Sequence, residues 1–237
     1  MFQKKKIICI IPAREGSVGL KNKNIKKING KPLIYWPINA AKKSKLIDTI
    51  IVSSDSKKVK KLAKNYNVAC PFLRPKKISG NNSKISEAII HALNFYKKRE
   101  FQTFDYLILL EPTSPLTDHV DIDKSLKIII KNKKIDSLVS ITENSTSHPQ
   151  FNFKLGEKNL LKKFLKLKSD VNRQDLSKLF YLSGNLYISK ISSFLKTKSF
   201  TQKKTFGYVV DKWKASEIDD LVDFIKTESI MKYKKIK

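Results

Sequence analysis

The sequence predicts an α/β fold in which a mostly parallel sheet carries helices on both of its faces. Two observations predict it: short apolar runs alternate with segments of helical periodicity, and each run is apolar at consecutive positions. Consecutive apolar positions are typical of strands that are buried on both faces by helical crossovers. The 237 residues suffice for one domain with a sizeable core.

The elements are predicted in alternating order along most of the chain. Residues 7–11 form the first strand, which Pro12 ends. The first helix is predicted to open at Gly30-Lys31-Pro32, because proline suits a first helical position, and to run to about Lys43. Further strands are predicted at residues 49–53, 68–72, 106–110, 137–141, 186–188 and 208–210, and further helices at 57–66, 85–98, 121–131 and 218–232.

Between about residues 143 and 181 this alternation stops. The stretch is polar, contains several phenylalanines and lacks a clear period. We therefore expect one domain over residues 1–237, with an insertion at about 143–181 that leaves the sheet.

The chain is strongly basic, with 49 Lys and Arg against 21 Asp and Glu and a formal charge of +28. Lysines are spread along amphipathic segments and no readable nucleic-acid module is present, so no specific nucleic-acid partner is expected. Arginine is scarce and occurs only at Arg14, Arg74, Arg99 and Arg173. Where lysine supplies almost every cation, a remaining arginine indicates a site that needs the planar guanidinium fork.

The expected location is the cytoplasm, without a membrane association. No apolar run approaches the roughly 20 residues of a membrane span. The amino-terminal apolar run reaches Pro12 and Arg14 too early for a signal peptide. Cys9 and Cys70 lie in apolar stretches without a CxxC spacing, which favours buried free thiols.

The loop after the first strand, residues 12–24, is the first candidate site. It holds two of the seven glycines, Gly16 and Gly19, beside Arg14, Lys21 and Lys23. Ligands of open α/β sheets bind at the carboxyl ends of strands, and glycines with cations suit a polyphosphate there. The string matches neither the P-loop nor the dinucleotide spacing, and the alternative is a plain surface loop.

The loop after the strand at 106–110 is the second candidate. Pro112 and Pro115 stiffen a turn that presents Glu111, Thr113 and Ser114 at the same sheet edge. Recognition of a polar ligand and a purely structural turn both remain open.

The acidic group at the start of the last predicted helix is the third candidate. In so basic a chain, Glu217, Asp219, Asp220 and Asp223 form a local source of oxygen ligands for Mg²⁺. Capping of the helix and its dipole explain the same residues equally well.

The fourth candidate is Arg173-Gln174-Asp175 together with residues 182–187. An arginine ahead of a glycine-containing turn could hold a carboxylate or a phosphate. A surface arginine and an ordinary hairpin turn are the alternative. No histidine or cysteine arrangement suggests covalent catalysis.

Together these motifs resemble the acylneuraminate cytidylyltransferases, the CMP-sialic acid synthetase family. The resemblance covers nearly the whole chain and rests on IPAREGSVGLKNKNI, IVSSD, Arg74-Pro75, LLEPTSPL, Arg173-Gln174-Asp175, SGNLYI and EIDDLVDF, in that order. It implies a Rossmann-like nucleotidyltransferase fold, and an enzyme that joins CTP to a nine-carbon 2-keto acid sugar and releases pyrophosphate.

The resemblance also implies roles for individual residues. CTP binding falls to Ala13, Arg14, Gly16, Ser17, Lys21, Lys23, Asn24 and Arg74, and Mg²⁺ binding to Glu217 and Asp219. The sugar pocket falls to Glu111, Arg173, Ser183 and Tyr187. Arg14, Lys23 and Asp219 are the implied catalytic residues, and the insertion is implied to join two chains in a homodimer.

The sequence departs from the family at several of these positions. Val18 stands in place of a lysine, Glu111 in place of glutamine and Thr117 in place of arginine, and Ser183 and Glu217 replace Asn and Asp. Glu111 matters most, because an anionic acceptor replaces an amide that both donates and accepts. The acceptor is therefore left open among N-acetylneuraminate, legionaminate, pseudaminate and another 2-keto acid such as 3-deoxy-manno-octulosonate. A non-catalytic nucleic-acid binder is the alternative from a different class.

Overall fold

The computed structural model describes residues 2–16, 19–144, 148–165, 174 and 176–236. The described residues form ten strands: β1 Ile7–Pro12, β2 Lys27–Ile28, β3 Lys31–Pro32, β4 Thr49–Ser53, β5 Tyr106–Leu109, β6 Ser137–Glu143, β7 Phe153–Leu155, β8 Leu161–Lys163, β9 Phe180–Lys190 and β10 Thr205–Val209. They also form six α-helices: α1 Tyr35–Lys43, α2 Lys57–Asn65, α3 Ile85–Arg99, α4 His119–Lys131, α5 Ile191–Thr197 and α6 Leu221–Tyr233.

Six strands form the central sheet, in the order β10-β6-β9-β5-β1-β4. β1 lies parallel to β4 and β5, and β10 lies parallel to β6. β9 is the exception, because it runs antiparallel between β5 and β6. The prediction of a mostly parallel sheet is thus confirmed.

The two faces of β1 show why the sheet needs helices on both sides. Ile7, Cys9 and Ile11 pack into one apolar cluster with residues of α1, α2 and α4. Ile8 and Ile10 point the other way, into a cluster with residues of α3 and α5. All five side chains are fully buried, so the continuous apolar run of β1 follows from burial on both faces.

The first helix begins later than its sequence predicts. Asn29 and Gly30 both have positive φ, 47° and 78°, and form a two-residue turn that pairs Ile28 with Lys31. Pro32 therefore ends a short hairpin, and α1 begins at Tyr35. The Asn-Gly pair is the hairpin signal that the helical interpretation overlooked.

Four further elements differ from the prediction. Residues 68–72 do not form a strand, and only isolated bridges join Ala69 to Ile51 and Leu73 to Ser54. β9 extends over eleven residues instead of 186–188, and α5 was not predicted. The last helix begins at Leu221, because Asp220 caps it.

Within the described part of residues 143–181, β7 and β8 form a separate two-stranded antiparallel hairpin. Among the described helices, none combines the length and the apolar character that crossing a bilayer requires. Cys9 and Cys70 are both free and buried, as predicted.

Candidate active site

A cavity of about 460 Å³ opens at the carboxyl ends of β1 and β5. Four stretches of chain contribute its walls: the loop after β1, residues 74–88, the loop after β5 and the segment before α6. The predicted site residues that line it are Arg14, Lys23, Asn24, Arg74, Glu111 and Asp219. Three motifs that are far apart in sequence therefore meet in one space.

One side of the cavity is basic. Arg74 is 5% exposed, and its Nε donates to Ser79 Oγ at 3.0 Å. Burial lowers the pKa of Arg74, and the nearby Arg14 adds to that effect while Asp55 opposes it. Asp55 accepts the backbone N–H of Glu15 at 2.9 Å. Two guanidinium groups thus converge on a space that favours an anion.

Asn81 joins this basic side. Its Oδ1 accepts from Arg14 Nη1 at 2.7 Å, and neighbouring residues of the same loop also line the cavity: Ile78, Ser79, Gly80, Ser83 and Lys84. The loop leads into α3, whose amino-terminal residues Ile85 and Ala88 complete the wall. The positive end of the helix dipole therefore lies at the cavity. Of this loop the sequence predicted Arg74 but not the residues at 78–84, although the polar run ahead of a helix was a usable signal.

Lys23 and Gly19 connect the loop after β1 to the acidic segment before α6. Lys23 Nζ donates to the carbonyl oxygen of Ile218 at 2.8 Å and to Asp219 Oδ1 at 3.0 Å. Gly19 lies so close to Asp219 that a β-carbon there would overlap the Asp219 carbonyl oxygen. Asn24 is buried and donates to the Arg14 carbonyl oxygen at 2.8 Å, which fixes the shape of the loop.

The other side of the cavity is acidic. Burial raises the pKa of Glu111 to about 7, with Glu217 and Asp219 adding to the effect and Lys23 opposing it. Burial also raises the pKa of Glu217, and Asp219 contributes to that rise. These carboxylates repel one another, and Lys23 offsets that repulsion only in part. Such a set of oxygen donors suits a divalent cation.

This donor set fits Mg²⁺ in the way that nucleotide enzymes use it. Among the described residues, no three metal-ligating side chains come together. Mg²⁺ at phosphate sites keeps several waters and needs only one or two carboxylates, the rest of its ligands being phosphate oxygens. Glu217 and Asp219 can supply those two carboxylates.

The acidic group of four residues divides into two functions. Asp220 is the N-cap of α6 and accepts from the Asp223 backbone N–H at 2.9 Å. Asp223 accepts from the backbone N–H groups of Asp219 and Asp220, which completes a capping box. Capping therefore accounts for these two carboxylates. Asp219 lines the cavity, whereas Glu217 does not line it and lies against Gly184.

β9 brings a second polar group against the acidic side. Gly184 has φ 72°, and a β-carbon there would lie 2.9 Å from Ser114 Oγ and 3.2 Å from Glu217 Oε2. The Oγ atoms of Ser114 and Ser183 are buried without a hydrogen-bond partner. Burial raises the pKa of Tyr187, and Glu111 and Glu217 add to the rise. Ser183 and Tyr187 therefore lie behind the acidic wall. Gly184 belongs to the predicted turn at residues 182–187, but its close approach to Ser114 and Glu217 was not predicted.

The remaining predicted residues have different positions. Ala13 is fully buried and accepts a hydrogen bond from Ser54 Oγ, so it has a structural contact. Gly16 and Lys21 are exposed and do not line the cavity. Ser17, Val18 and Arg173 lie outside the described residues.

Comparison with known proteins agrees with this geometry. The sequence model of the cytidylyltransferase family matches residues 8–236. This chain belongs to the cytidylyltransferase family. The expected resemblance to the acylneuraminate branch is confirmed by its relatives.

Two relatives and one solved structure illustrate the similarity. The cytidylyltransferase is 34% identical over 219 residues to the N-acylneuraminate cytidylyltransferase of Escherichia coli, covering 92% of this chain and 50% of that protein. It is 30% identical over 227 residues to the CMP-N,N'-diacetyllegionaminic acid synthase of Legionella pneumophila, covering 95% and 96%. The chain therefore spans about half the length of the first relative and nearly all of the second.

The solved structure of a CMP:2-keto-3-deoxy-manno-octonic acid synthetase complexed with CTP superposes with a TM-score of 0.70. The alignment covers 97% of this cytidylyltransferase and 99% of that chain, at 12% identity. At that identity the similarity establishes the fold alone, which confirms the predicted Rossmann-like nucleotidyltransferase architecture.

Proposed function

We propose that this cytidylyltransferase transfers CMP from CTP to the anomeric hydroxyl of a nine-carbon 2-keto acid sugar and releases pyrophosphate. One observation carries the proposal: a single cavity joins a basic wall, which includes Arg14 and Arg74, to an acidic wall, which includes Glu111 and Asp219. The names of the relatives from Escherichia coli and Legionella pneumophila support the same reaction.

CTP occupies the basic wall in this proposal. Arg14 and Lys23 neutralise the triphosphate, Asn24 holds the loop in shape, and Arg74 contacts the cytidine end. Support comes from the converging charges of Arg14 and Arg74 and from the amino-terminal end of α3 at the cavity. Gly16 and Lys21, which are exposed in the same loop, and Ser17, which lies outside the described residues, are also assigned to CTP binding.

Glu217 and Asp219 would hold Mg²⁺ beside the phosphates. When bound, the ion neutralises charge on the transferring phosphoryl group and on the departing pyrophosphate. The mutual repulsion that raises the pKa of Glu217 supports this assignment, because a cation relieves it.

The sugar lies on the side of Glu111, with Ser183 and Tyr187 behind it and Arg173 directed to its carboxylate. Its anomeric hydroxyl attacks the α-phosphorus in line, and no covalent enzyme intermediate is needed. A carboxylate near Asp219 accepts the proton of the attacking hydroxyl, while Lys23 and Arg14 stabilise the charge of the leaving group. Ser114 and Ser183 support this pocket, since their buried hydroxyls have no partner in the described residues.

The enzyme acts as a cytoplasmic homodimer in this proposal, with no membrane or specific nucleic-acid partner. The β7–β8 hairpin and the start of β9 expose apolar side chains: Phe153, Leu155, Leu161, Phe164, Phe180 and Leu182. Exposed apolar side chains on one hairpin and the adjoining strand suit an isologous contact with a second copy. Free thiols at Cys9 and Cys70 suit a reducing compartment.

Thermal protection identifies the acceptor. Each candidate sugar is added with Mg²⁺ and a non-hydrolysable CTP analogue, and the true acceptor raises Tm beyond the analogue alone by mass action. We expect protection from a nine-carbon 2-keto acid and less from 3-deoxy-manno-octulosonate. Protection by neither sugars nor analogue, with tight salt-dependent binding to duplex DNA, would instead favour the nucleic-acid alternative.

A further inference from the structure

The segment of residues 211–220 carries Glu217 and Asp219 but belongs to neither β10 nor α6. Irregular segments place side chains accurately only when other parts of the chain fix them. Two contacts fix this segment to the loop after β1: the hydrogen bond from Lys23 Nζ to the Ile218 carbonyl oxygen and the close approach of Gly19 to Asp219. A third is the hydrogen bond from the Ile218 N–H to the Thr113 carbonyl oxygen, at 2.8 Å.

Lys214 supplies a fourth fixed point, three residues before Glu217. Its Nζ donates to Asp118 Oδ2 at 2.6 Å and to Asp121 Oδ2 at 2.5 Å. Only 12% of the Lys214 side chain and 13% of that of Asp121 are exposed. Asp121 also accepts from the hydroxyl of Tyr208 at 2.9 Å.

The two carboxylates directly follow the loop that presents Glu111, because Asp121 lies in the first turn of α4. Asp118 is the N-cap of α4, and the loop 111–117 ends directly before it. The Lys214 carbonyl oxygen accepts from Asn185 Nδ2 at 2.9 Å, and the Asn185 carbonyl oxygen accepts from Thr117 Oγ1 at 2.9 Å. Lys214 thus joins the acidic segment to the loop after β5 and to β9 beside Gly184.

Stability alone is a poor explanation for this arrangement. Taking Lys214 and Asp121 largely out of water costs free energy, and a buried ion pair adds little net stability compared with apolar side chains. The benefit of Lys214 is geometric. Its ammonium holds two carboxylates and its carbonyl oxygen accepts from Asn185, and together these contacts restrict where the backbone can lie.

We infer that Lys214 is a positioning residue, which sets the placement of Glu217 and Asp219 relative to Glu111. The inference rests on the proposed function for its catalytic consequence, but its structural part can be tested without substrate. The Ile218 amide is the reporter, since its hydrogen bond to Thr113 joins the two stretches of chain that Lys214 holds together.

The test compares Lys214→Met with Lys214→Arg and with a matched control. Lys190→Met is that control, because Lys190 also forms a partly buried ion pair, with Asp136 at 3.0 Å. Lys190 pairs with Tyr106 at the amino-terminal end of β5, whereas the cavity lies at the carboxyl end. Asp118→Asn is the second variant and removes one partner charge while keeping an N-cap side chain.

Amide hydrogen exchange is measured first, in the protein without Mg²⁺ or nucleotide. We expect the Ile218 amide to exchange about 10-fold faster in Lys214→Met and faster also in Asp118→Asn, with Lys190→Met unchanged. Calorimetric titration of Mg²⁺ into protein saturated with a non-hydrolysable CTP analogue follows. There we expect about 10-fold weaker Mg²⁺ binding in Lys214→Met and recovery in Lys214→Arg.

Each outcome decides the inference. Unchanged exchange in both variants overturns it, and so does faster exchange with Mg²⁺ binding as in the wild type, since Lys214 would then be only structural. Equal effects of Lys190→Met and Lys214→Met overturn it as well. Failure of the wild type to release pyrophosphate from CTP with any sugar would instead reject the proposed function. The exchange comparison would then still decide whether Lys214 positions the acidic segment.

Discussion

The ammonium of Lys23 lies 3.0 Å from Oδ1 of Asp219, although 196 residues separate them in sequence. Lys23 is 12% exposed in its side chain and Asp219 is 75% exposed. The cation is therefore the fixed partner and the carboxylate the accessible one. In the proposed reaction, Lys23 contacts the phosphates while Asp219 turns to the metal ion, so the pair connects the two halves of the site.

Lys23→Met is the first prediction. Removing the ammonium takes away a charge that stabilises the transition state, and kcat/KM for CTP should fall by about 100-fold or more. The exposed Lys27, in β2, provides a control with the same loss of charge. Steady-state kinetics that are equal in Lys23→Met and Lys27→Met would contradict the assignment of Lys23.

Gly19→Ala is the second prediction. The added β-carbon would overlap the Asp219 carbonyl oxygen and displace the acidic segment. We expect the Mg²⁺ concentration for half-maximal activity to rise by about 10-fold, and further in Gly19→Val, as for other changes to the support of a metal ligand. Wild-type Mg²⁺ dependence in both variants would show that the loop does not position Asp219.

Glu111→Gln is the third prediction. It replaces a half-buried carboxyl by an amide of the same shape. Above pH 7, where Glu111 is mostly ionised, this removes a negative charge from the side that receives an acidic sugar. KM for the sugar should fall by about 3- to 10-fold with little change in KM for CTP, in keeping with a modest charge contribution. An effect on KM for CTP alone would place Glu111 in the nucleotide site instead.

Asp118→Asn gives the fourth prediction, a dependence of stability on pH. Burial favours the neutral carboxyl, but hydrogen bonds from Lys214 and from the Asp121 backbone outweigh it and lower the pKa of Asp118. A carboxyl whose pKa is lower in the folded than in the unfolded protein stabilises the fold at pH values above its unfolded pKa. This stabilisation is lost as the pH falls through its folded pKa. Asp118→Asn should therefore be less stable than the wild type at pH 7.

Thermal unfolding measures this difference. Because 39% of the Asp118 side chain is exposed, solvent screens the pair and the loss should be about 1 kcal/mol, or about 2–4 °C in Tm. As the pH falls below the lowered pKa of Asp118, the two proteins should come to melt together. A difference in Tm that stays the same from pH 7 into the acid range would mean that the charge of Asp118 contributes nothing.

The apolar hairpin gives the fifth prediction. Leu155 and Leu161 are 69% and 65% exposed, and replacing both by glutamate should convert a dimer to monomers, because charge at an apolar interface is costly. Phe101→Glu is the control, since Phe101 is 90% exposed but lies outside the hairpin. Light scattering at micromolar concentration checks both, and a monomeric wild type would refute the dimer.

The sequence predicted the parts of the fold that depend on local pattern. The strand at residues 7–11 and the helix at 85–98 are confirmed within one residue. Burial on both faces requires consecutive apolar residues and a helix requires its own period, so both are visible in the sequence. The helix predicted from Pro32 to Lys43 is present but begins only at Tyr35, because Asn29-Gly30 forms a hairpin turn. β9 was predicted too short, since its start at residues 180–182 is exposed and Ser183-Gly184 interrupts the apolar pattern.

The site was predictable where its residues lie at strand ends. Arg14, Lys23 and Glu111 come directly after buried strands, and the structure brings them to one cavity with Asp219. Asn81, Gly184 and Lys214 could not be found in this way, because their importance depends on contacts between distant segments. For Gly184 the positive φ and the proximity of Ser114 and Glu217 become visible only in three dimensions.

Release of pyrophosphate from CTP by the purified wild-type chain is the most direct test of the proposed function. We predict release that requires Mg²⁺ and a nine-carbon 2-keto acid sugar together, and that is lost when either is omitted. The absence of release with N-acetylneuraminate, legionaminate and pseudaminate, at saturating CTP and Mg²⁺, would contradict the account.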